Sequence, residues 1–174
     1  MSVRDHMTGG GGPRTGKALE YLVAASCILM SGGKLNVSTP LVDDEGVDLV
    51  FNRHDRPATL AVQIKGRSRS AQVVKKGRFL ADVARRTFAP REDLHMLYVV
   101  YDEAAADYGP VWLVPSRELA ERGANSRRGS ALRFATSLAG EESQWAKYRL
   151  SKEGLPKQIL AILDSLSSTA RVSG

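Results

Sequence analysis

The chain holds 174 residues, with 25 Lys and Arg against 19 Asp and Glu, a formal net charge of +6, and 43% hydrophobic and 25% charged residues. That is the size and balance of one ordinary globular domain, which excludes a disordered or fibrous chain and leaves no room for a second full domain. No apolar run is long enough to span a bilayer and the N-terminus lacks a secretory pattern, while the single cysteine, Cys27, permits no internal disulfide and fits a reducing cytoplasm.

Residues 1–14, with four consecutive glycines at 9–12 and then Pro13, are expected to form a flexible leader. Thr15 can cap a helix running to about residue 31, with Leu19, Leu22, Val23, Ser26 and Met30 at helical spacing and Gly32-Gly33 ending it. Cys27 lies within that apolar helix and is expected to be a packed core thiol. Strands follow at 34–41, 47–52 and 59–66, separated by the acidic turn Asp43-Asp44-Glu45-Gly46 and by a turn over 53–57, so that three consecutive strands make a meander. Residues 68–77 are polar and basic and read as a loop or edge hairpin, and 78–83 as a strand followed by an irregular turn.

The run 93–102, rich in β-branched and aromatic residues, is expected as a central strand, and Val111-Trp112-Leu113-Val114 as another. Ser116 can cap a short helix over 117–122 that Gly123 stops. A basic loop at 124–130 and a short strand at 132–137 precede Trp145 and Tyr148, which are expected to anchor the core. An amphipathic helix over 155–167, built on Leu155, Ile159, Ile162, Leu163 and Leu166, closes a domain of residues 15–168, and 169–174 form a tail. The fold class is therefore α/β: a mixed β-sheet of about five or six strands flanked by helices.

Several motifs exclude other chemistries. Residues 11–17 match the spacing G-x-x-x-x-G-K, but Ala18 stands where a phosphate-binding loop needs Ser or Thr, and no strand precedes the glycines. His6, His54 and His95 have no ligand spacing, and with one cysteine there is no zinc signature. No serine sits in a nucleophile elbow.

What remains is a set of polar residues inside apolar runs. Asp48 sits within Val47-Asp48-Leu49-Val50-Phe51, and Gln63-Ile64-Lys65 closes Leu60-Ala61-Val62. Gln63 and Lys65 share one face of their strand because side chains alternate. A carboxylate and an ammonium among apolar neighbours are costly unless paired or metal-bound, which points to a site. Upstream, Glu20 flanks the apolar stripe of the first helix.

Glu20 on a helix, Asp48 on a strand and Gln63-x-Lys65 on the next strand resemble the PD-(D/E)xK nuclease superfamily over roughly residues 14–68. Val47 replaces the Pro of the pattern, and Gln63 stands where Asp or Glu is more usual, a weaker ligand for a hard cation. The resemblance implies a restriction-endonuclease-like core and a metal-dependent nuclease, expected to be a DNA endonuclease. It implies Mg²⁺, for which Mn²⁺ can substitute, held by Glu20, Asp48, the Gln63 side chain and the Ile64 backbone carbonyl, with Lys65 serving the attacking water. Asp43, Asp44 and Glu45 are most simply a solvated turn, although one of them could join the outer shell of that metal. Superfamily members of this size often dimerise to cut two strands, so a homodimer is an expected arrangement.

Residues 53–91 carry eleven basic side chains against Asp55 and Asp82 alone. Arg67, Arg69, Lys75, Lys76 and Arg78 are the expected contacts to a nucleic-acid partner, DNA by preference, because phosphate binding requires such a surface. Two alternatives remain: a catalytically weak nuclease-fold module that binds nucleic acid, and a structural domain in which Asp48 and Lys65 form a buried ion pair. Such a pair adds little net stability.

Overall fold

The computed structural model of the chain describes residues 12–41, 46–140 and 142–172. Most of the expected leader, the acidic residues Asp43, Asp44 and Glu45, and the last two residues of the tail lie outside the described residues.

Helix α1 (Pro13–Met30) begins two residues earlier than Thr15, with Gly12 as its N-cap and no side-chain cap. Pro13 suits the first turn, where its missing N–H has no helical partner to lose. At the other end Gly32 and Gly33, with φ of +63° and +75°, return their N–H groups to Leu29 and Ile28 at 3.0 Å each. Leu19, Val23, Ser26 and Cys27 face inward, whereas Met30, expected in that stripe, is exposed. Burial pushes the Cys27 thiol up to about 12.

The expected meander is present as antiparallel β1 (Leu35–Ser38), β2 (Leu49–Arg53) and β3 (Arg56–Ser68). After a one-turn helix α2 (Gln72–Lys75), inside the segment expected as a loop, comes β4 (Arg78–Ala84). Then follow β5 (Leu94–Asp102), β6 (Asp107–Pro115), α3 (Ser116–Arg122), β7 (Ala124–Asn125), β8 (Ala131–Ser137), β9 (Arg149–Leu150) and α4 (Gly154–Val172). The main sheet has six strands in the order β1-β2-β3-β5-β6-β9, mixed because β3 and β5 alone run parallel.

This is the mixed sheet expected from the sequence, and beside it β4, β8 and β7 form a second, three-stranded antiparallel sheet that the expectation did not include. Its two longer strands alternate strictly: Phe79, Ala81 and Val83 on β4 and Leu132, Phe134 and Thr136 on β8 are buried, with their neighbours turned outward.

Two cores result. On one face of the main sheet, α1 and α4 pack an aliphatic cluster that includes Leu19, Val23, Leu49, Leu60, Val62, Leu97, Ile159 and Leu163. On the other, the small sheet roofs β5 and β6 through an aromatic cluster: Phe134 stacks on Tyr98 at 3.8 Å between centroids and lies 5.2 Å from Trp145. Trp145 thus anchors the core as expected. Ser116 does not cap α3; its hydroxyl accepts the Arg91 N–H at 2.9 Å and donates to the Arg91 carbonyl at 2.8 Å, tying α3 to the loop before β5. Among the described residues no helix is long and apolar enough to cross a membrane.

Candidate active site

The candidate residues gather where β2 and β3 part. Leu49 opposes Val62 as the last pair, and Asp48, one residue before β2 begins, still donates its N–H to the Val62 carbonyl at 2.9 Å. Beyond that point β3 runs on to Ser68 against β5 only. The next β3 donor on the open edge, the Ile64 N–H, is taken by the Asp48 carboxylate, Oδ2 lying 2.6 Å from it. A charge-assisted bond of this kind fixes the carboxylate against the strand. The N–H and C=O of one strand residue point the same way, so the Ile64 carbonyl faces the edge that Asp48 occupies.

Alternation decides the rest. Leu60 and Val62 belong to the helix-side core and Ile64 packs against it, so Gln63 and Lys65 turn to the opposite face, both half-buried. The Gln63 amide is seated against Gly46: a Cβ there would come within 2.5 Å of Gln63 Nε2, and Gly46 has φ of +69°. Only glycine meets both conditions without strain. Gly66, next after Lys65, makes room for a close approach on the helix side, where a Cβ would meet Leu19 Cδ2 at 2.4 Å.

Glu20 is engaged by Lys17, Nζ to Oε2 2.6 Å. The Glu20 carboxylate holds the Lys17 ammonium above its ordinary value, and Asp48 adds a smaller pull in the same direction. Both carboxylates therefore lie within electrostatic reach of one lysine. Sequence reasoning missed Lys17 and Gly46; the first is an ordinary exposed helix residue until the fold brings Asp48 near, and the second was read only as part of a turn.

The expected nucleic-acid contacts lie on different elements. Arg67, in phase with Gln63 and Lys65, turns its Nε to the Leu80 carbonyl at 2.9 Å and so links β3 to the small sheet. Arg69 reaches the β5–β6 hairpin, donating to the Gly109 carbonyl at 3.0 Å. Lys75, Lys76 and Arg78 are exposed together at the start of β4. His54 is exposed in the β2–β3 turn.

As a donor set for a metal, Asp48, Glu20, the Gln63 amide and the Ile64 carbonyl offer only hard oxygens, the type Mg²⁺ prefers. Two carboxylates and a neutral amide are a lean set: among the described residues no three His, Cys, Asp or Glu side chains converge.

No family model matches the sequence, and no curated protein matches it either. Among solved structures the chain is similar to that of a bacterial homing endonuclease, I-Ssp6803I, with a TM-score of 0.56 and 19% identity over 95% of this chain and 100% of that one. The likeness extends over the whole domain and establishes the fold: a mixed α/β architecture shared with an endonuclease.

Proposed function

We propose that the chain is a metal-dependent nuclease that hydrolyses phosphodiester bonds of nucleic acid, with DNA endonuclease as the specific reading. The observation that supports it most is the Asp48 carboxylate held on the Ile64 N–H at the open edge of β3, beside Gln63 and Lys65. The fold shared with a homing endonuclease agrees with it, and so does the resemblance of Glu20, Asp48 and Gln63-x-Lys65 to the PD-(D/E)xK pattern.

In this reading Asp48, Glu20, the Gln63 side-chain oxygen and the Ile64 carbonyl hold Mg²⁺, or Mn²⁺ in its place. When bound, the cation supplies Lewis-acid stabilisation of phosphate charge and a more acidic water. The Ile64 N–H fixes the Asp48 carboxylate against the site strand. Lys65 orients the attacking water and offsets negative charge as it develops on the phosphate oxygens. Lys17, paired to Glu20 at 2.6 Å, holds that carboxylate in position. The lean donor set favours one second reading, a nucleic-acid-binding module with weak metal chemistry, in which Gln63→Glu would raise metal affinity.

The test is a panel of labelled single-stranded, duplex and branched DNA and RNA incubated with Mg²⁺ or Mn²⁺, wild type beside Asp48→Ala. The proposal expects cleavage by wild type and a loss of at least about 100-fold in the variant, the low end of what a positioned catalytic group supplies. Equal cleavage by both proteins refutes the site assignment, and salt-sensitive binding without any product selects the binding module.

A further inference from the structure

The net charge of the chain is not spread over its surface. Segments 72–86 and 124–137, which contain α2, β4, β7 and β8, hold eight Lys and Arg against Asp82 alone, seven net positive charges where the whole chain has +6. The rest of the chain, 17 Lys and Arg against 18 Asp and Glu, sums to −1.

Pairing sharpens the contrast. Outside the small sheet the cations are largely matched: Arg53 with Asp55 and Asp164, Arg91 with Asp93, Arg117 with Glu92, Arg122 with Glu118, Lys152 with Asp107. On the small sheet only Arg133 is matched, bidentate to Asp82 at 2.7 and 2.8 Å. Its other cations, all exposed, form no ion pair with a described residue; Arg85 alone has a side-chain partner, the neutral amide of Asn125.

Those cations occupy the two ends of the ribbon. Lys75, Lys76 and Arg78 stand where Arg78 opposes Ser137; Arg85, Arg86, Arg127 and Arg128 stand beyond the pair Ala84 and Ala131. Six residue steps separate the ends, about 20 Å. Between them the outward positions are Leu80, Asp82, Arg133 and Ala135, where Arg133 neutralises Asp82, and the end pairs add only the small Ala84, Ala131 and Ser137 beside the cations. One edge of β4 already meets the site strand through Arg67 and Leu80.

We infer that the outer face of the β4-β8-β7 sheet is a docking surface for duplex DNA, its two cationic ends gripping the phosphate rows on either side of a major groove. A groove about 12 Å wide admits a two-stranded ribbon, whereas the deep, narrow major groove of duplex RNA does not. Exposed cations with no ion pair among the described residues give up no such pair on meeting phosphates and release counterions from them. The inference rests on the reading of the chain as one that acts on nucleic acid, but not on its cleavage chemistry.

The test measures fluorescence anisotropy of a labelled duplex of about 20 base pairs, without divalent metal, over a series of salt concentrations. Wild type is compared with Arg127→Gln/Arg128→Gln and with Lys34→Gln/Lys157→Gln, which removes the same charge from exposed positions elsewhere. Thermal melts confirm that each variant folds. The sheet variant is expected to bind on the order of tenfold more weakly at 0.1 M salt, with the slope of log K against log salt shallower by about 2, and the control to change less than about twofold. No duplex binding by wild type, equal losses in both variants, equal affinity of the sheet for duplex RNA or a single strand, or an unchanged slope overturns the inference. Binding that follows this pattern with no cleavage on added Mg²⁺ leaves it standing and removes the nuclease reading; cleavage with unaltered binding does the reverse.

Discussion

Strands β3 and β5 are parallel neighbours in register, Gln63 beside Met96, Lys65 beside Tyr98 and Arg67 beside Val100. On the face these six share, β5 is wholly apolar and β3 wholly polar. The difference is the roof. Met96, Tyr98 and Val100 lie under the aromatic core of the small sheet, while Gln63 and Lys65 stay half-buried. A strand covered on both faces reads as a continuous apolar run, and a strand covered on one can carry ionisable groups without the cost of burying them. The candidate site is thus where the second sheet stops, and the cations that would bring a polyanion to it are carried by that sheet.

The largest effect on the roofed side comes from its hub. Phe134, fully buried, touches Tyr98, Phe79, Trp112 and Trp145. Phe134→Ala is expected to cost about 3–5 kcal/mol in denaturant unfolding, the range for a buried aromatic truncated to alanine; a cost below about 1 kcal/mol would mean that the roof is not held by this cluster.

A smaller, pH-dependent effect belongs to His95, at the start of β5. Burial pushes its imidazole down to about 4, against a weaker opposing pull from Asp93. Because the unfolded side chain titrates near 6.5, the unfolded state binds the proton first as pH falls. The contribution is complete above about pH 6.5 and is lost progressively toward pH 4. His95→Leu should flatten the fall of the denaturant midpoint between pH 7 and 4.5, and an equally steep fall would show that other groups carry it.

On the unroofed side, Gly46→Ala strains a left-handed residue by about 1–3 kcal/mol and drives a methyl into the Gln63 amide. It is expected to reduce cleavage or metal affinity more than it reduces duplex binding. Equal reductions of all three would make Gly46 a general structural residue.

Much of this was legible in the residues. The unbroken apolar run of β5 announced a strand buried on both faces, and the spacing of Leu155, Ile159 and Leu163 announced α4. Asp48, Gln63 and Lys65 stood out because they interrupt apolar runs. The second sheet was not legible: β4 and β8 are about fifty residues apart, and an alternating strand specifies a face but not a partner. Ser116 carried a capping signal, yet Arg91, brought close by the tertiary fold, took its hydroxyl. Gly46 and Lys17 acquire meaning only from Gln63 and Asp48 across the fold.

The most direct measurement is single-turnover cleavage of a prebound duplex by wild type and Lys65→Met, with the dissociation constant measured on the same samples. Lys65→Met gives β3 at this position the apolar character of β5, where Tyr98 lies beside it, while keeping a side chain of similar length. The account predicts an intact fold, affinity within about threefold of wild type because Lys65 is one cation among many, and a cleavage rate lower by at least about 100-fold. A rate within a few-fold of wild type, or a fall in rate matched by an equal loss of affinity, would contradict it.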